Sequence, residues 1–487
     1  MKNFIHFYAL IGAYISASLI FPALIAFGSD EIEIGYRLLL YGSTGGFLFF
    51  AVLLSIRDEE HHLERSTAIL LAVASWVSFP FLIAFPLMDV AGLSLVHSIF
   101  QGFSVFTTSG ALIFANFQEL PKSVLFYLAQ FQWLGGFATL ITFILVLAPW
   151  EIGGLPRVGS ASEAASIVAS QTRLARYCGG VLRGYTILTV ACFALLMLCG
   201  ISAFNAMTLS FTALSTGGIT PVQEELDLLL GNVGMLVLAV FLLIGATSLF
   251  WHRNLISLRV DELFKHRESY FLIVGWFILT IWFAYVIGAA SGVGHLSFQT
   301  MSEGALNAAS ITTTSGLQSR PGIFALMPVG LILILAVIGG CGFSTSGGVR
   351  CFRVGIMLTQ AEHELNRLIY PSSVQATRYR SSVLNLDFLK GVWGLFAIWI
   401  TLLALLGVIL SLTGMGFQTA FTAAIAALSN AGPLYGSFWD PSNSTEWPEY
   451  YEMSGLQLII LSIAMFLGRL EIIAVFASLA LLFNRYR

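Results

Sequence analysis

Apolar stretches dominate this chain, and they come in two lengths. Crossing the hydrocarbon core as a helix takes about 20 apolar residues, and ten stretches meet that length within a few residues. Two come first, at 4–27 and 35–56. Four pairs follow, at 67–89 with 123–149, 180–203 with 231–252, 270–291 with 324–362, and 387–413 with 454–484. Within each pair lies a shorter apolar segment, at 93–106, 204–214, 298–312 and 416–428, too short to cross. Such segments predict re-entrant pore helices, which membrane depth tolerates only where protein buries them or they line a water-filled cavity. The pattern divides the chain into two N-terminal helices (1–65) and four repeats at 66–150, 179–255, 268–362 and 386–487. The fold class expected is all-α and polytopic: four helix–pore helix–filter–helix repeats around a central pore, plus two N-terminal transmembrane helices.

After each short segment stands a quartet of small residues: Thr107-Thr108-Ser109-Gly110, Ser215-Thr216-Gly217-Gly218, Thr313-Thr314-Ser315-Gly316 and Ser429-Asn430-Ala431-Gly432. Glycine reaches positive φ at little steric cost, as a backbone needs when it turns its carbonyls toward an ion. One such quartet fits an ordinary helix C-cap. Four in one chain predict a ring of carbonyls that replaces the hydration shell of a cation such as potassium. Taking Gly110, Gly217, Gly316 and Gly432 as equivalent, the carbonyl donors expected just before each glycine are Thr108 and Ser109, Ser215 and Thr216, Thr314 and Ser315, and Asn430 and Ala431. Their hydroxyls are expected to hydrogen-bond locally and fix the turns.

Composition agrees. The chain is 57% hydrophobic and only 10% charged, against about 25% charged in soluble domains. Met1-Lys2-Asn3 leads straight into an apolar run without a cleavage site, so the first helix is expected to be retained. The five cysteines contain no C-x-x-C pair, and neither a disulfide framework nor a metal site is expected. Under this segmentation nineteen Lys and Arg residues lie on one side, and only Arg37, Lys122 and Arg320 on the other. The basic side is therefore expected to be cytoplasmic, with both termini there. The quartets then face outward, beside the acidic loops around Asp30–Glu33, Glu224–Asp227 and Asp440–Glu452. A polytopic enzyme would need a cluster of His, Asp, Glu or Cys inside the spans, and none is evident. No stretch reads as a soluble nucleotide- or nucleic-acid-binding domain.

Two intramembrane features stand apart. Residues 339–348 hold five glycines, Gly339, Gly340, Gly342, Gly347 and Gly348, interleaved with Ser344 and Thr345. Each glycine costs a helix interior about 1 kcal/mol relative to alanine, so a flexible loop below the filter is expected there, able to block the ion path. A phosphate loop is excluded by the missing G-K-[S/T]. Arg469, inside the last span, is costly unless paired or facing water, and Glu471 lies on a different face of the helix. Glu303, near the start of a pore helix, could cap that helix or serve the ion path.

The ordered motifs resemble the Trk/Ktr/HKT superfamily of potassium transporters, and most its bacterial TrkH branch. They are Gln132-Trp133-Leu134-Gly135-Gly136, Ala213 to Gly218, Ser429 to Pro433, Ile338 to Gly348, and Leu467-Gly468-Arg469-Leu470-Glu471. The resemblance covers essentially the whole chain. It implies potassium uptake by a non-enzymatic pore subunit of a bacterial inner membrane, with the 339–348 loop as gate and Arg469 near the pore. It implies no covalent cofactor, only the transported ion, and a glycine at Gly110 fits potassium better than sodium. It also implies a homodimer and a separate cytosolic nucleotide-binding ring, for which the basic loops 150–179, 253–268 and 363–386 would be the docking surface. Ser109, Ser315 and the S-N-A-G segment depart from the family pattern, so a weakly selective or sodium-permeable transporter is the alternative.

Overall fold

The computed structural model describes residues 2–56, 64–115, 117–147, 171–220, 225–249, 251–252, 267–292, 294, 296–370, 378–379, 382–383, 386–438, 447–470, and 472, 475 and 478. Among these, eight helices are long and apolar enough to cross a membrane: Lys2–Gly28 (broken at Leu19), Ile32–Ser55, Ser66–Val90, Lys122–Thr142, Leu174–Leu198, Leu226–Ala246, Arg267–Ser291 and Phe388–Leu412. Two expected spans differ. The 324–362 stretch is split into Val329–Ile338 and Cys351–Ile369 by the glycine-rich segment. The last helix is described over Gly455–Leu470, and most of its continuation, Glu471 included, lies outside the described residues. So do Glu224, residues 439–446 and most of the three basic loops.

The four short segments are helices: Leu95–Phe106, Ala203–Ser215, Phe298–Thr312 and Phe417–Leu428. Three start on a serine, Ser94, Ser202 and Ser297, whose side chain accepts the backbone N–H three residues on. These caps fix where each helix begins. All four end at the quartets, so the negative ends of four helix dipoles converge on one place.

Buried side chains form two large clusters, one from the N-terminal helices and first two repeats, one mainly from the last two repeats. Around them the spans expose large apolar side chains, such as Phe47, Leu198 and Leu412. That is the distribution of a protein whose solvent is lipid. The N-terminal helices lie on the first repeat: Tyr8 donates to Ser78 Oγ at 2.6 Å, and Gln130 Nε2 to Ser18 O at 2.9 Å.

The acidic stretch at 30–33 has structural tasks. Glu31 accepts the Lys122 and Ser123 backbone N–H groups at 2.7 and 3.1 Å, and the Ser123 hydroxyl, capping the helix Lys122–Thr142 from a distance. Glu33 and Asp89 both pair with Arg37. Glu31→Ala is expected to lower stability by about 1 kcal/mol, the usual worth of a lost cap, read as a lower melting temperature of the purified protein in detergent.

Candidate functional site

The quartets share one backbone path up to their last residue, where Gly432 is helical, with φ of −52°, instead of taking the expected positive φ. Thr108, Thr216, Thr314 and Asn430 all adopt left-handed conformations, with φ of 55°, 51°, 59° and 51°. In every case the next residue returns its N–H to the carbonyl five residues back: Ser109 to Ser104, Gly217 to Thr212, Ser315 to Ser310 and Ala431 to Ala426. This fixes the register and corrects the second segment. Gly218, with φ of 76°, stands where Gly110 (80°) and Gly316 (74°) stand, while Gly217 occupies the position of Ser109 and Ser315. The residues equivalent to Thr108 and Ser109 are thus Thr216 and Gly217, not Ser215 and Thr216. Thr-Gly-Gly offers two glycines, and the end of the pore helix decides between them.

The quartets interlock in chain order. A Cβ on Gly110 would fall on the carbonyl oxygen of Gly217, and one on Gly218 on that of Ser315. A Cβ on Gly316 would lie 2.9 Å from Leu434 N, and one on Gly432 would fall on Ala111 N. The Gly432 N–H donates to Ser109 O at 2.7 Å, which closes the ring between fourth and first segments. Four segments that meet in chain order, last meeting first, surround one axis. The Ser109 carbonyl therefore braces the ring, a task the sequence did not assign to it.

Of the hydroxyls expected to hold the turns, Ser215 Oγ donates to Phe211 O at 2.7 Å, Thr216 Oγ1 to Ser215 O at 2.8 Å and Thr314 Oγ1 to Thr313 O at 2.7 Å. Those of Thr108, Ser109 and Ser315 do not. Thr107 Oγ1 also donates, to Phe103 O at 2.7 Å. Thr313 Oγ1 donates to Ser310 O at 3.3 Å. Other buried oxygens at the ring have no hydrogen-bond partner among the described residues: Thr108 Oγ1, Ser109 Oγ, Ser315 Oγ, Ser429 Oγ and Asn430 Oδ1. Asn430 Nδ2 donates to Met465 O, so its oxygen is the free end. Buried oxygens without donors suit a cation or its water, since an unpaired polar atom is otherwise costly.

The motifs that carry the resemblance meet at these helix ends. Gln132 Nε2 donates to Gly217 O. A Cβ on Gly135 would strike Phe106 O, one on Gly136 would lie 3.0 Å from Ser215 Cα, and one on Gly468 would strike Leu428 O. Only glycine lets these helices approach the pore-helix ends so closely.

Below the ring, residues 339–347 are buried and non-helical. Thr345 Oγ1 hydrogen-bonds Leu214 O and Gly245 O, both at 2.9 Å. The Gly347 N–H donates to Thr314 Oγ1 at 2.7 Å, and a Cβ there would fall on Ser429 O. Gly340 lies against Ser346, and the Ser344 hydroxyl donates to Cys341 O at 2.6 Å. Gly339 and Gly348 take positive φ where the segment leaves and rejoins its helices. The segment thus touches three quartets from beneath. Arg469, 2% exposed, ties it to the first repeat: Nη2 donates to Thr345 O at 2.6 Å, Nη1 to Ser346 O at 3.2 Å, and Nε to Thr139 Oγ1 at 2.8 Å.

The family model of TrkH, described as a cation transport protein, matches residues 46–484. The chain belongs to the TrkH family. Among TrkH relatives, the Trk system potassium uptake protein TrkH of Vibrio parahaemolyticus is 28% identical, over 97% of this chain and 96% of that one. The protein of the same name from Escherichia coli K12 is 27% identical, over 92% and 94%. The crystal structure of the potassium transporter TrkH from Vibrio parahaemolyticus superposes with a TM-score of 0.83 at 25% identity, covering 98% of both chains. The multi-pass helical fold is therefore that of TrkH, a transporter family and not an enzyme family.

Two features of this TrkH-family site were not read from sequence. Gln101 and Asn307, at the same place on the first and third pore helices, brace the strands leaving their quartets: Ile113 N–H to Gln101 Oε1 at 3.0 Å, and Ser319 N–H to Asn307 Oδ1 at 3.1 Å. Glu303 does not cap its helix, a task that falls to Ser297. It is 1% exposed and accepts from Arg320 at 2.8 Å, and Arg320 also lies 3.6 Å from Asp227. Arg320→Ala is expected to destabilise the protein by leaving a buried carboxylate unpaired. Adding Glu303→Gln to it is expected to restore most of the lost melting temperature, and a double variant no better than Arg320→Ala would count against the pairing.

Proposed function

We propose that this protein is the pore-forming subunit of a Trk-type potassium uptake system in a bacterial cytoplasmic membrane. The observation that carries this reading is the closed ring of four quartets, with unpartnered oxygens, at the convergence of four helix C-termini. Oxygen ligands of modest individual strength bind potassium while letting it leave again. The names of the TrkH relatives point to the same ion. The residues we assign to ion binding are Thr108, Ser109, Thr216, Gly217, Thr314, Ser315, Asn430 and Ala431, with the four glycines after them. The glycine-rich segment is the gate and Arg469 its clamp. The asymmetry of Lys and Arg supports both termini in the cytoplasm, and the basic loops suit a cytosolic nucleotide-binding ring and a homodimeric assembly.

Expression in a bacterium lacking potassium uptake tests the reading, with growth at low external potassium expected. Purified protein in liposomes is expected to pass potassium in preference to sodium. No rescue, with sodium flux of equal size, would overturn potassium selection. Shortening 340–347 is expected to raise flux, and a folded shortened protein with unchanged flux would overturn the gate.

A further inference from the structure

The gating segment is held from its far side as well as from the pore. Its first limb lies along two helix ends, the first of which reaches the second quartet, where a Cβ on Gly245 would lie 2.9 Å from Thr216 Cγ2. Cys341 N–H donates to Ala246 O at 3.0 Å, Thr345 N–H to Gly245 O at 3.1 Å, and Leu249 N–H to Phe343 O at 3.2 Å. All three partners sit at or just beyond the C-terminal end of Leu226–Ala246. The next span, Arg267–Ser291, begins beside the same limb. In its first turn the Glu268 carboxylate accepts the Gly342 N–H, and the buried Ser269 hydroxyl lies 3.8 Å from Cys341 Sγ. Arg350 draws the limb together from within: one Nη reaches Cys341 O and Ser344 Oγ at 3.2 Å, and Ser344 O and Ser346 Oγ at 3.3 Å. Its guanidinium lies over the Phe143 ring at 4.6 Å. The limb is therefore a compact unit, and one of its N–H groups rests on a carboxylate from the first helix of the same repeat.

We propose that Glu268 is the latch of this segment, a positioning residue that holds the Gly342 N–H and so keeps the segment across the pore. The proposal rests on the reading of the segment as the gate. A charged acceptor forms a bond about twice as strong as a neutral one. Burying part of a carboxylate at this depth carries a desolvation cost that a mere filler would not justify. Position matters as much as strength. Glu268 stands at the very start of a span, where a small shift of the helix end withdraws the carboxylate without disturbing the ring. Arg469 holds the middle of the segment, at Thr345 and Ser346, whereas Glu268 holds its first limb, at Gly342. Release there frees the Gly342 N–H and loosens the limb, whose other ties run to Ala246, Leu249 and Arg350.

Potassium flux per folded protein in liposomes, with the full chain, tests this. Glu268→Ala is expected to raise flux about tenfold, the effect of losing one hydrogen bond to a charged group from the closed state. Glu268→Gln keeps an oxygen acceptor for the backbone N–H and is expected to restore flux close to that of the unaltered protein. Alkylation of the buried Cys341, followed by mass spectrometry, is expected to quicken in Glu268→Ala and not in Glu268→Gln. If Glu268→Ala does not fold, Glu268→Asp decides, because its shorter side chain withdraws the carboxylate and is expected to raise flux. Unchanged flux and alkylation in these variants, while the 340–347 deletion still raises flux, would overturn the latch and leave the gate standing. Unchanged flux in the deletion as well would overturn both.

Discussion

Gly110→Ser is expected to remove the preference for potassium over sodium, and Gly218→Ser to do the same. Both positions hold positive φ, 80° and 76°, which costs a residue with a Cβ about 1–2 kcal/mol. Neither has room for that atom, because the neighbouring quartet's carbonyl already occupies the place. The obstacle is backbone, so the ring must shift to accept it. A shift that alters the relative stability of two bound ions by about 1.4 kcal/mol changes their ratio tenfold. The ratio of potassium to sodium flux in liposomes is expected to fall by at least that factor. Gly217→Ser is expected to do less. Gly217 is outside the positive-φ region, and serine already stands at its equivalents, Ser109 and Ser315. Its added atom would meet the Gln132 side chain, whereas at Gly110 and Gly218 the obstacle is backbone. Equal losses at Gly217 and Gly218 would mean that the register drawn from the hydrogen bonds is off by one.

Arg469→Ala is expected to raise potassium flux about tenfold or more without a regulatory partner. Three donors from one guanidinium reach the carbonyls of Thr345 and Ser346 and the hydroxyl of Thr139. Hydrogen bonds to a charged group are each worth about 1.5–3 kcal/mol, and under the proposed gate all three hold the closed arrangement. Their loss favours opening, and removing a buried positive charge from beside a cation path acts in the same direction. Arg469→Lys is expected to fall between, because a compact ammonium lacks the planar fork that spans two carbonyls and a side chain. Unchanged flux in well-folded Arg469→Ala would remove this arginine from the gate.

The pore helices and quartets were legible in sequence because both are local. A short apolar run ending in small residues and glycine announces itself within about twenty positions, and four repetitions remove the ambiguity of each. The glycine-rich break was legible for the same reason, since no helix holds five glycines in ten positions comfortably. What escaped was everything that depends on distant partners. Thr-Gly-Gly at 216–218 reads equally well in two registers until Ser315 is placed against Gly218. Glu303 could be a cap or an ion ligand until Arg320, 17 positions on, is folded back onto it. The Glu268 carboxylate and Gly342 are 74 positions apart, and nothing local marks them as a pair. Glu31 looked like part of a solvated acidic loop, yet it caps a helix 91 positions away. Buried polar pairing is set by tertiary contact, and periodicity carries no trace of it.

The hydrogen bond from Gly432 to Ser109 has a bearing on biosynthesis. The ring it closes joins the first quarter of the chain to the last, and Arg469 meets Thr139 across 330 residues. At ordinary elongation rates the first quartet waits on the order of tens of seconds for its partner to leave the ribosome. During that interval the three earlier quartets have been inserted with an open seam. A chain stopped short of the fourth repeat would hold a row of unmatched carbonyls at membrane depth and no pore. The ring is therefore complete only once the fourth repeat has been made and its seam has closed on Ser109.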